Sequence, residues 1–457
     1  MSFKIKMCLI KENLSVRDAL HFIDKNKYGF AFTYDANKKV TGVVTDGDIR
    51  RALLNNLTLD ALISEVSNKD FIWARVKTPR EQLIKSLDAH IKFLPILDNN
   101  GQLIEVVSRE NLPLIDETNT YIRARSPVRI SFGGGGSDLT HFFQKSPGAV
   151  INATVSIYSH ALMRIRNDSK IIIHSRDLGE SLLAESLEEA LNHSGQFGLI
   201  QSILHIVRPK FGFELLLDSD FSIGSGLGGS ATLCAVILGC FNEVRKDKWS
   251  QYELAEIAFQ AERLYLGISG GWQDQYATVF GGFNFIEFQA KENIVNALRI
   301  HSDVVRELEE SLILCNTGIA HNSGNIHDNQ KETMASSDVN KLVRKNVKLT
   351  QSIRKNLLKG NLLKLGKCLD EAWKLKRNFS TMISNDYIDE IYDGALKHGA
   401  IGGKLLGAGG GGYFIFYVPP LKKYDLLNYI EARGLKTQSF RFESDGLTSW
   451  TVREKNN

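Results

Sequence analysis

Two stretches near the start of the chain carry the same order of apolar and polar positions. SVRDALHFIDKNKYGFAFTYDANKKVTGVVTDGDI starts at Ser15, and TPREQLIKSLDAHIKFLPILDNNGQLIEVVSRENL starts at Thr78, so a shift of 63 residues aligns them without a gap. Each predicts a hydroxyl N-cap, a short amphipathic helix, an apolar strand, an Asp/Asn turn and a second apolar strand. Thr or Ser then precedes an acidic stretch. A half-unit of this size cannot bury its own sheet, so the two are predicted to pack as a pair. The pattern predicts a module at residues 1–115, with halves at about 1–62 and 63–115. A polar linker, read in LPLIDETNTY (Leu112–Tyr121) and bounded at 116–122, leads into a different pattern.

That pattern starts with a short apolar strand, Val128–Phe132, which runs into four glycines, Ser137 and Asp138. Such a stretch is either a structural turn with a helix cap or a place where backbone must approach a ligand closely. Farther on, the strand core of FGFELLLDSD (Phe211–Asp220) leads to GSGLGGSAT (Gly224–Thr232) and an apolar helix, Ser230–Val244. Strand, glycine loop and helix aim free N–H groups and a helix N-terminus at an anion. A capped turn without ligand remains the alternative. The next helix, Ser250–Gly267, opens with a Ser-x-x-Glu capping box (Ser250, Glu253) and closes at a glycine. At about 100° per residue, Leu254, Ile257, Ala258, Ala261, Leu264 and Tyr265 fall on one apolar arc, and Glu256, Gln260 and Arg263 lie opposite. Glu262 falls inside the apolar arc. A buried carboxylate needs a partner, either an arginine or a metal near bound phosphates. Asp274 opens a short helical turn after a glycine pair, where it is a cap or a group that orients a hydroxyl.

Composition narrows the classes. The chain of 457 residues is 43% hydrophobic and 24% charged, which suits two or three globular domains. A net charge of +4 with no basic stripe excludes a nucleic-acid footprint. No apolar run reaches the roughly 18–20 residues of a membrane helix. The start of the chain is too short and charged for a secretory signal. Five scattered cysteines without a CxxC spacing indicate neither zinc nor a disulfide framework, and a cytoplasmic location is expected. The GxGxxG at Gly224, Gly226 and Gly229 is not a Walker loop. A dinucleotide fold would place it early in a βαβ unit with an acid about 20 residues on; Asp247 could be offered, but it sits in a polar turn.

GVVTDGDIRRAL, from Gly42 to Leu53, resembles the CBS family, and the duplication resembles a tandem CBS (Bateman) pair. The resemblance implies that Thr45 and Asp48 hold the ribose of an adenine nucleotide, with an adenine nucleotide or a nucleotide sugar as regulator. A ligand-free scaffold or dimerisation module is the alternative, and a homo-oligomer through the pair is expected. The second copy has Asn111 where Asp48 stands and Glu105 where Gly42 stands.

RISFGGGGSD, GSGLGGSAT, AERLYLGISGGWQD and KLLGAGGGGYFIFYV, in that order, resemble the GHMP kinases from Tyr121 to the C-terminus. RISFGGGGSD and GGWQDQYATVFGG are most similar to the D-glycero-D-manno-heptose 7-phosphate kinase branch. The resemblance implies an α+β fold, a two-lobed GHMP-type kinase domain with an N-terminal α/β CBS-pair module, its lobes at 123–300 and 301–457. It implies ATP and Mg²⁺ as cofactors and phosphorylation of the anomeric hydroxyl of a sugar phosphate. Gly224, Ser225, Gly226, Leu227, Gly228, Gly229, Ser230 and Ala231 would then wrap ATP, with Ser230 and Glu262 on the metal. Asp274 would face the acceptor hydroxyl, paired with Arg129. Gly135, Gly136, Ser137, Asp138, Gly410 and Gly411 would shape the sugar site. A sugar phosphate needs cations, for which Arg377, Lys374, Lys376, His321 and Arg176 are candidates; Lys376 reads as a solvated helix face. A kinase of fucose or galactose type and a non-catalytic nucleotide sensor are the competing readings.

Overall fold

The computed structural model describes residues 3–87, 91–112, 118–222, 224–319, 326, 329 and 337–455. They form two compact units, Met1–Asn119 with Glu454–Asn457, and Thr120–Arg453.

In the first unit β1 (Leu9–Lys11) runs parallel to β2 (Phe30–Tyr34), and β2 pairs antiparallel with β3 (Val40–Thr45). Helices α1 (Val16–Asn26) and α2 (Asp46–Leu54) accompany them. The second half repeats the scheme with β4 (Ala74–Arg75), α3 (Arg80–Ser86), β5 (Phe93–Leu97) and β6 (Leu103–Ser108). The turns are alike in detail. Asp35 Oδ1 accepts the amides of Asn37 and Lys39, both at 2.9 Å, and Asp98 Oδ1 accepts those of Asn100 and Gln102 at 2.9 and 2.8 Å. Phe30 and Phe93, equivalent under the repeat, stack at 4.1 Å in a core shared by both halves. Ser15 caps α1 as expected, but Thr78 does not cap α3. Its hydroxyl donates instead to the Arg75 carbonyl at 2.8 Å, and the helix starts one residue later, after Pro79.

The second unit opens with β7 (Thr118–Gly133), α4 (Thr140–Phe143), β8 (Gly148–Ile165), β9 (Ile171–Ser175), β10 (Glu180–Ala184), α5 (Leu187–Leu191) and α6 (Gly198–Val207). Then come β11 (Phe213–Ser219), α7 (Gly229–Val244), α8 (Gln251–Phe259), α9 (Gln273–Phe280), β12 (Phe283–Phe288) and β13 (Asn293–Ala297). The strands form one sheet, ordered β10-β9-β11-β8-β12-β13, with β7 also on β8. Helix α7 is apolar on nearly every side, so it sits in the core between sheet and helices.

The chain continues with α10 (Ser302–Ser311), β14 (Leu312–Asn316), α11 (Ser337–Leu358), α12 (Leu362–Lys376), α13 (Asp386–Lys397), β15 (Gly402–Leu405), β16 (Tyr413–Tyr417), α14 (Lys423–Ala432) and β17 (Lys436–Gln438). A four-stranded sheet, β15-β16-β14-β17, carries α13 and α14 on one core. Its other face meets the first sheet through α11 and α12. Strand β18 (Thr448–Lys455) leaves the C-terminal part and pairs with β7. Among the described residues no helix is long and apolar enough to cross a membrane.

Candidate active site

A cleft of about 520 Å³ opens in the second unit. The glycine loop between β11 and α7 forms one wall. Gly228 is the N-cap of α7 with φ 88°, in the left-handed region, and a Cβ there would lie 3.3 Å from the Asp274 carboxylate. Glycine at 228 therefore lets the loop turn and lets an acid approach it.

Arg129 comes from the C-terminal part of β7, between two shifts of register against β8 that bracket its position. Bulges of this kind re-aim side chains. The guanidinium is buried, donates from Nε and Nη2 to the two Asp274 oxygens at 2.8 and 2.9 Å, and donates from Nη1 to the Gly226 carbonyl at 2.8 Å. One planar fork thus joins the carboxylate to the glycine loop. Asp274 sits in the first turn of α9, held in place by the preceding Trp272, which stacks on Phe259 at 3.5 Å.

Helix α8 passes into a π-helical turn over Gln260–Tyr265, marked by the Leu266 amide donating five residues back to Ala261. The turn corrects the wheel drawn from sequence. Leu264 and Tyr265, assigned to the buried arc, are exposed, because the wider turn shifts the phase of the residues after it. Glu262 stays inside, 1% exposed, in contact with the Ser230 hydroxyl and the Gln275 amide. Its closest guanidinium, that of Arg263, stands 3.8 Å away. Burial raises the Glu262 carboxyl above its usual range. Ser230 and Glu262 together offer two hard oxygen donors at the N-terminus of α7, a set suited to Mg²⁺.

Asp138 is buried, accepts the amides of Gly136 at 3.0 Å and Gln273 at 3.3 Å, and is pushed up first by burial, then by the Asp274 charge. Lys376 lines the same cleft, and its Nζ donates to the carbonyls of Leu405 at 2.9 Å and Gly407 at 2.6 Å. The sequence placed Lys376 on a solvated face; it is 6% exposed and lines the cleft. Lys404 is buried nearby, pushed down to about 7 by burial and then by Arg129.

The cleft brings together Arg129, Gly135, Gly136, Asp138, Gly224, Ser225, Gly226, Gly228, Gly229, Ser230, Ala231, Glu262 and Asp274. Other predicted positions lie elsewhere. Ser137 is fully buried and spends its hydroxyl on the Gly134 and Ala149 backbone. Leu227 turns its side chain into the core behind the loop. Gly410 and Gly411 pack against the backbone of Ile383 and Ile319, and the cleft is lined instead by Gly407 and Ala408. Arg377, Lys374 and Arg176 form surface ion pairs with Asp389, Asp370 and Asp218. His321 lies outside the described residues. Sequence reading missed the far end of the cleft, where Leu178, Leu199, Ile200, Phe221 and Leu233 make an apolar pocket beside Asp177 and Gln196. These residues come from separate loops and helices, and no local pattern marks them.

In the first unit Thr45 and Asp48 form a capping box on α2. The Thr45 hydroxyl donates to Asp48 Oδ2 at 2.7 Å, and Asp48 also pairs with Arg51. The second copy keeps the arrangement, with Ser108 donating to Asn111 Oδ1 at 2.9 Å.

Comparison with known proteins gives the chain its family. Residues 196–282 match the GHMP kinase N-terminal domain, 353–432 the GHMP kinase C-terminal domain, and 8–55 and 63–112 the CBS domain. A D-glycero-alpha-D-manno-heptose 7-phosphate kinase of Campylobacter jejuni is 36% identical over 337 residues, 72% of this chain and 99% of the relative. An L-fucokinase/L-fucose-1-P guanylyltransferase of Bacteroides fragilis is 24% identical, with 80% of this chain matched to 40% of that protein. The crystal structure of a D-glycero-D-manno-heptose 1-phosphate kinase from Bacteriodes thetaiotaomicron is 28% identical with a TM-score of 0.60, covering 72% of this chain and 99% of that one. The domain matches, and 36% identity over nearly the whole of the heptose kinase relative, place the chain in the GHMP kinase family, among its ATP-dependent sugar kinases, with a CBS pair ahead of the kinase domain.

Proposed function

We propose that the chain transfers the γ-phosphoryl group of ATP to the anomeric hydroxyl of D-glycero-D-manno-heptose 7-phosphate, giving the 1,7-bisphosphate and ADP. The observation that carries this reading is the Asp274 carboxylate, fixed by Arg129 at the rim of the glycine loop. Backbone N–H groups of Gly224–Ala231 and the N-terminus of α7 would hold the ATP phosphates. The apolar end of the cleft would take the adenine. Ser230 and Glu262 would hold Mg²⁺, which when bound neutralises charge on the β- and γ-phosphates.

At the other end Asp274 accepts the proton of the anomeric hydroxyl as its oxygen bonds to the γ-phosphorus and the bond from that phosphorus to ADP breaks. An anomeric hydroxyl is more acidic than an ordinary alcohol, so a modest base suffices. Arg129 keeps the carboxylate aimed. Gly135, Gly136 and Asp138 would meet sugar hydroxyls. The heptose kinase relative, matched over nearly its whole length, favours a phosphorylated acceptor. The test is ATP consumption with Mg²⁺ against heptose 7-phosphate, mannose, fucose, galactose and hexose 6-phosphates, with the product's new phosphate located by NMR. Turnover of heptose 7-phosphate with phosphate gained at C1 is expected. A preference for fucose or another neutral sugar rejects the acceptor named here, and phosphate at any other position rejects the site of transfer.

For the CBS pair we propose an adenine nucleotide, or a nucleotide sugar made downstream, as regulator of the kinase. The TDGDI match supports it. A ribose at Thr45 and Asp48 would have to open the capping box. AMP is therefore expected to change the kinase rate of the full chain but not of an Asp48→Ala variant. Identical rates with and without AMP in the unsubstituted chain would leave the pair as a scaffold, with homo-oligomer formation as its role.

A further inference from the structure

Two buried lysines, Lys376 in the lining of the cleft and Lys404 close to it, have no ion-pair partner among the described residues. Arg129 is taken by Asp274, and the lysine and arginine that flank Lys376 in the chain, Lys374 and Arg377, are held outside the cleft by Asp370 and Asp389. Lys376 and Lys404 are 6% and 4% exposed, and among the described residues neither has a carboxylate within ion-pair distance. Buried ammonium groups are unfavourable unless an anion joins them.

Lys376 is also held in an informative way. An ammonium has three N–H donors. Two acceptors, the carbonyls of Leu405 and Gly407, fix the Lys376 Nζ from the side of the third glycine stretch and leave one donor over. The side chain lines the cleft with Asp138 and Asp274. Gly407 in turn packs on the phosphate loop so closely that a Cβ would stand 2.7 Å from the Gly226 carbonyl. The ammonium is thereby pinned beside the rim of the loop, at the acceptor end. Burial lowers its proton affinity well below that of an ordinary lysine, the Lys404 and Arg129 charges add to the effect, and the Asp138 and Asp274 carboxylates offset part of it. An anion would offset the rest.

We propose that Lys376 binds a phosphate oxygen at the acceptor end of the cleft, with Lys404 behind it as a second positive charge. The identity of the phosphate rests on the kinase reading above. Two phosphates reach this place in that reaction, the phosphoryl group in transfer and the acceptor's own, and they present the same chemistry to an ammonium. A neutral sugar supplies only the first.

Lys376→Met removes the charge and keeps an unbranched stem; Lys376→Arg keeps the charge. Calorimetry on the full chain with Mg²⁺ would measure binding of a non-hydrolysable ATP analogue, of heptose 7-phosphate, and of inorganic phosphate as the bare anion. The Met variant is expected to lose tenfold or more in affinity for at least one of them, with partial recovery in the Arg variant. A loss confined to the ATP analogue assigns the transferring group. A loss confined to heptose 7-phosphate assigns the acceptor's phosphate. Unchanged affinities for all three overturn the proposal. Should the Met variant fail to fold, Lys404→Met decides, with a two- to fivefold loss for the same anion expected and no loss overturning it. If the unsubstituted chain does not turn over heptose 7-phosphate while the variants still lose anion affinity, the substrate assignment fails and the role of Lys376 stands.

Discussion

Asp274→Asn is expected to lower kcat by about a hundred- to ten-thousand-fold, the range that a positioned general base contributes, with a small change in the affinity for ATP. The amide keeps the size of the carboxylate but cannot take the acceptor's proton. It also turns an N–H₂ towards the Arg129 fork, which now donates to both carboxylate oxygens. The Arg129 side chain is 4% exposed, so it would lose its counter-charge in a poorly solvated place. Breaking such a pair is destabilising. Asp274 is 24% exposed, and water offsets part of that loss. The melting temperature should therefore fall by a few degrees while the fold survives. Steady-state rates at saturating ATP, set beside a melting curve, provide the check. Activity within threefold of the unsubstituted chain would remove Asp274 as the base.

Glu262→Gln is expected to act in opposite directions on activity and stability. The side chain is isosteric, so the contacts with Ser230 and Gln275 have a counterpart. The charge that would hold Mg²⁺ disappears, and kcat should fall at least a hundredfold, with activity shifted to higher Mg²⁺ concentration. Stability should rise at neutral pH. Burial raises the folded-state affinity of Glu262 for its proton above that of an ordinary glutamate. The folded chain therefore holds this proton to higher pH than the unfolded chain does. That contribution is present below the unfolded value and lost as pH rises through the folded one. Glutamine never ionises, so the variant should melt higher at pH 7, and the difference should close towards pH 4.5. A variant that is less stable at pH 7, yet fully active, would mean that Glu262 is a structural ion-pair partner of Arg263. This trade of stability for function is what a metal-binding carboxylate in an apolar setting predicts.

Much of this was legible because it is local. The 63-residue repeat fixes two turns, Asp35–Lys39 and Asp98–Gln102, through bonds made within five residues. The glycine loop and α7 follow from their own composition, since glycines supply the left-handed conformations of the loop and the apolar run after them is a helix buried on nearly every side. Ser250 and Glu253 announce the start of α8 because a capping box is complete within four residues. Glu262 could be singled out because a charge in an apolar arc is an anomaly on any wheel. Other parts of the same reading failed for want of distant neighbours. The π-turn at Gln260–Tyr265 is invisible to a fixed 3.6-residue period, so Leu264 and Tyr265 were placed inside and Arg263 outside. Ser137 reads as a ligand-facing hydroxyl until the Ala149 strand beside it takes up its bonds.

By itself, then, the sequence determined the duplicated first module, the strand–loop–helix that lines the cleft, and the acids that stand out from their surroundings. All of these depend on bonds and periods spanning a few residues. Only the tertiary structure decided which groups meet. Arg129 and Asp274 are 145 residues apart in the chain and joined by two hydrogen bonds. Lys376 and Gly407 are 31 apart, and their contact turns an apparently solvated lysine into a buried one. The apolar end of the cleft draws on side chains with no common period. Burial and charge partners belong to the packed chain, so the chemistry of Lys376, Lys404 and Glu262 is fixed only when helices and sheets close around them.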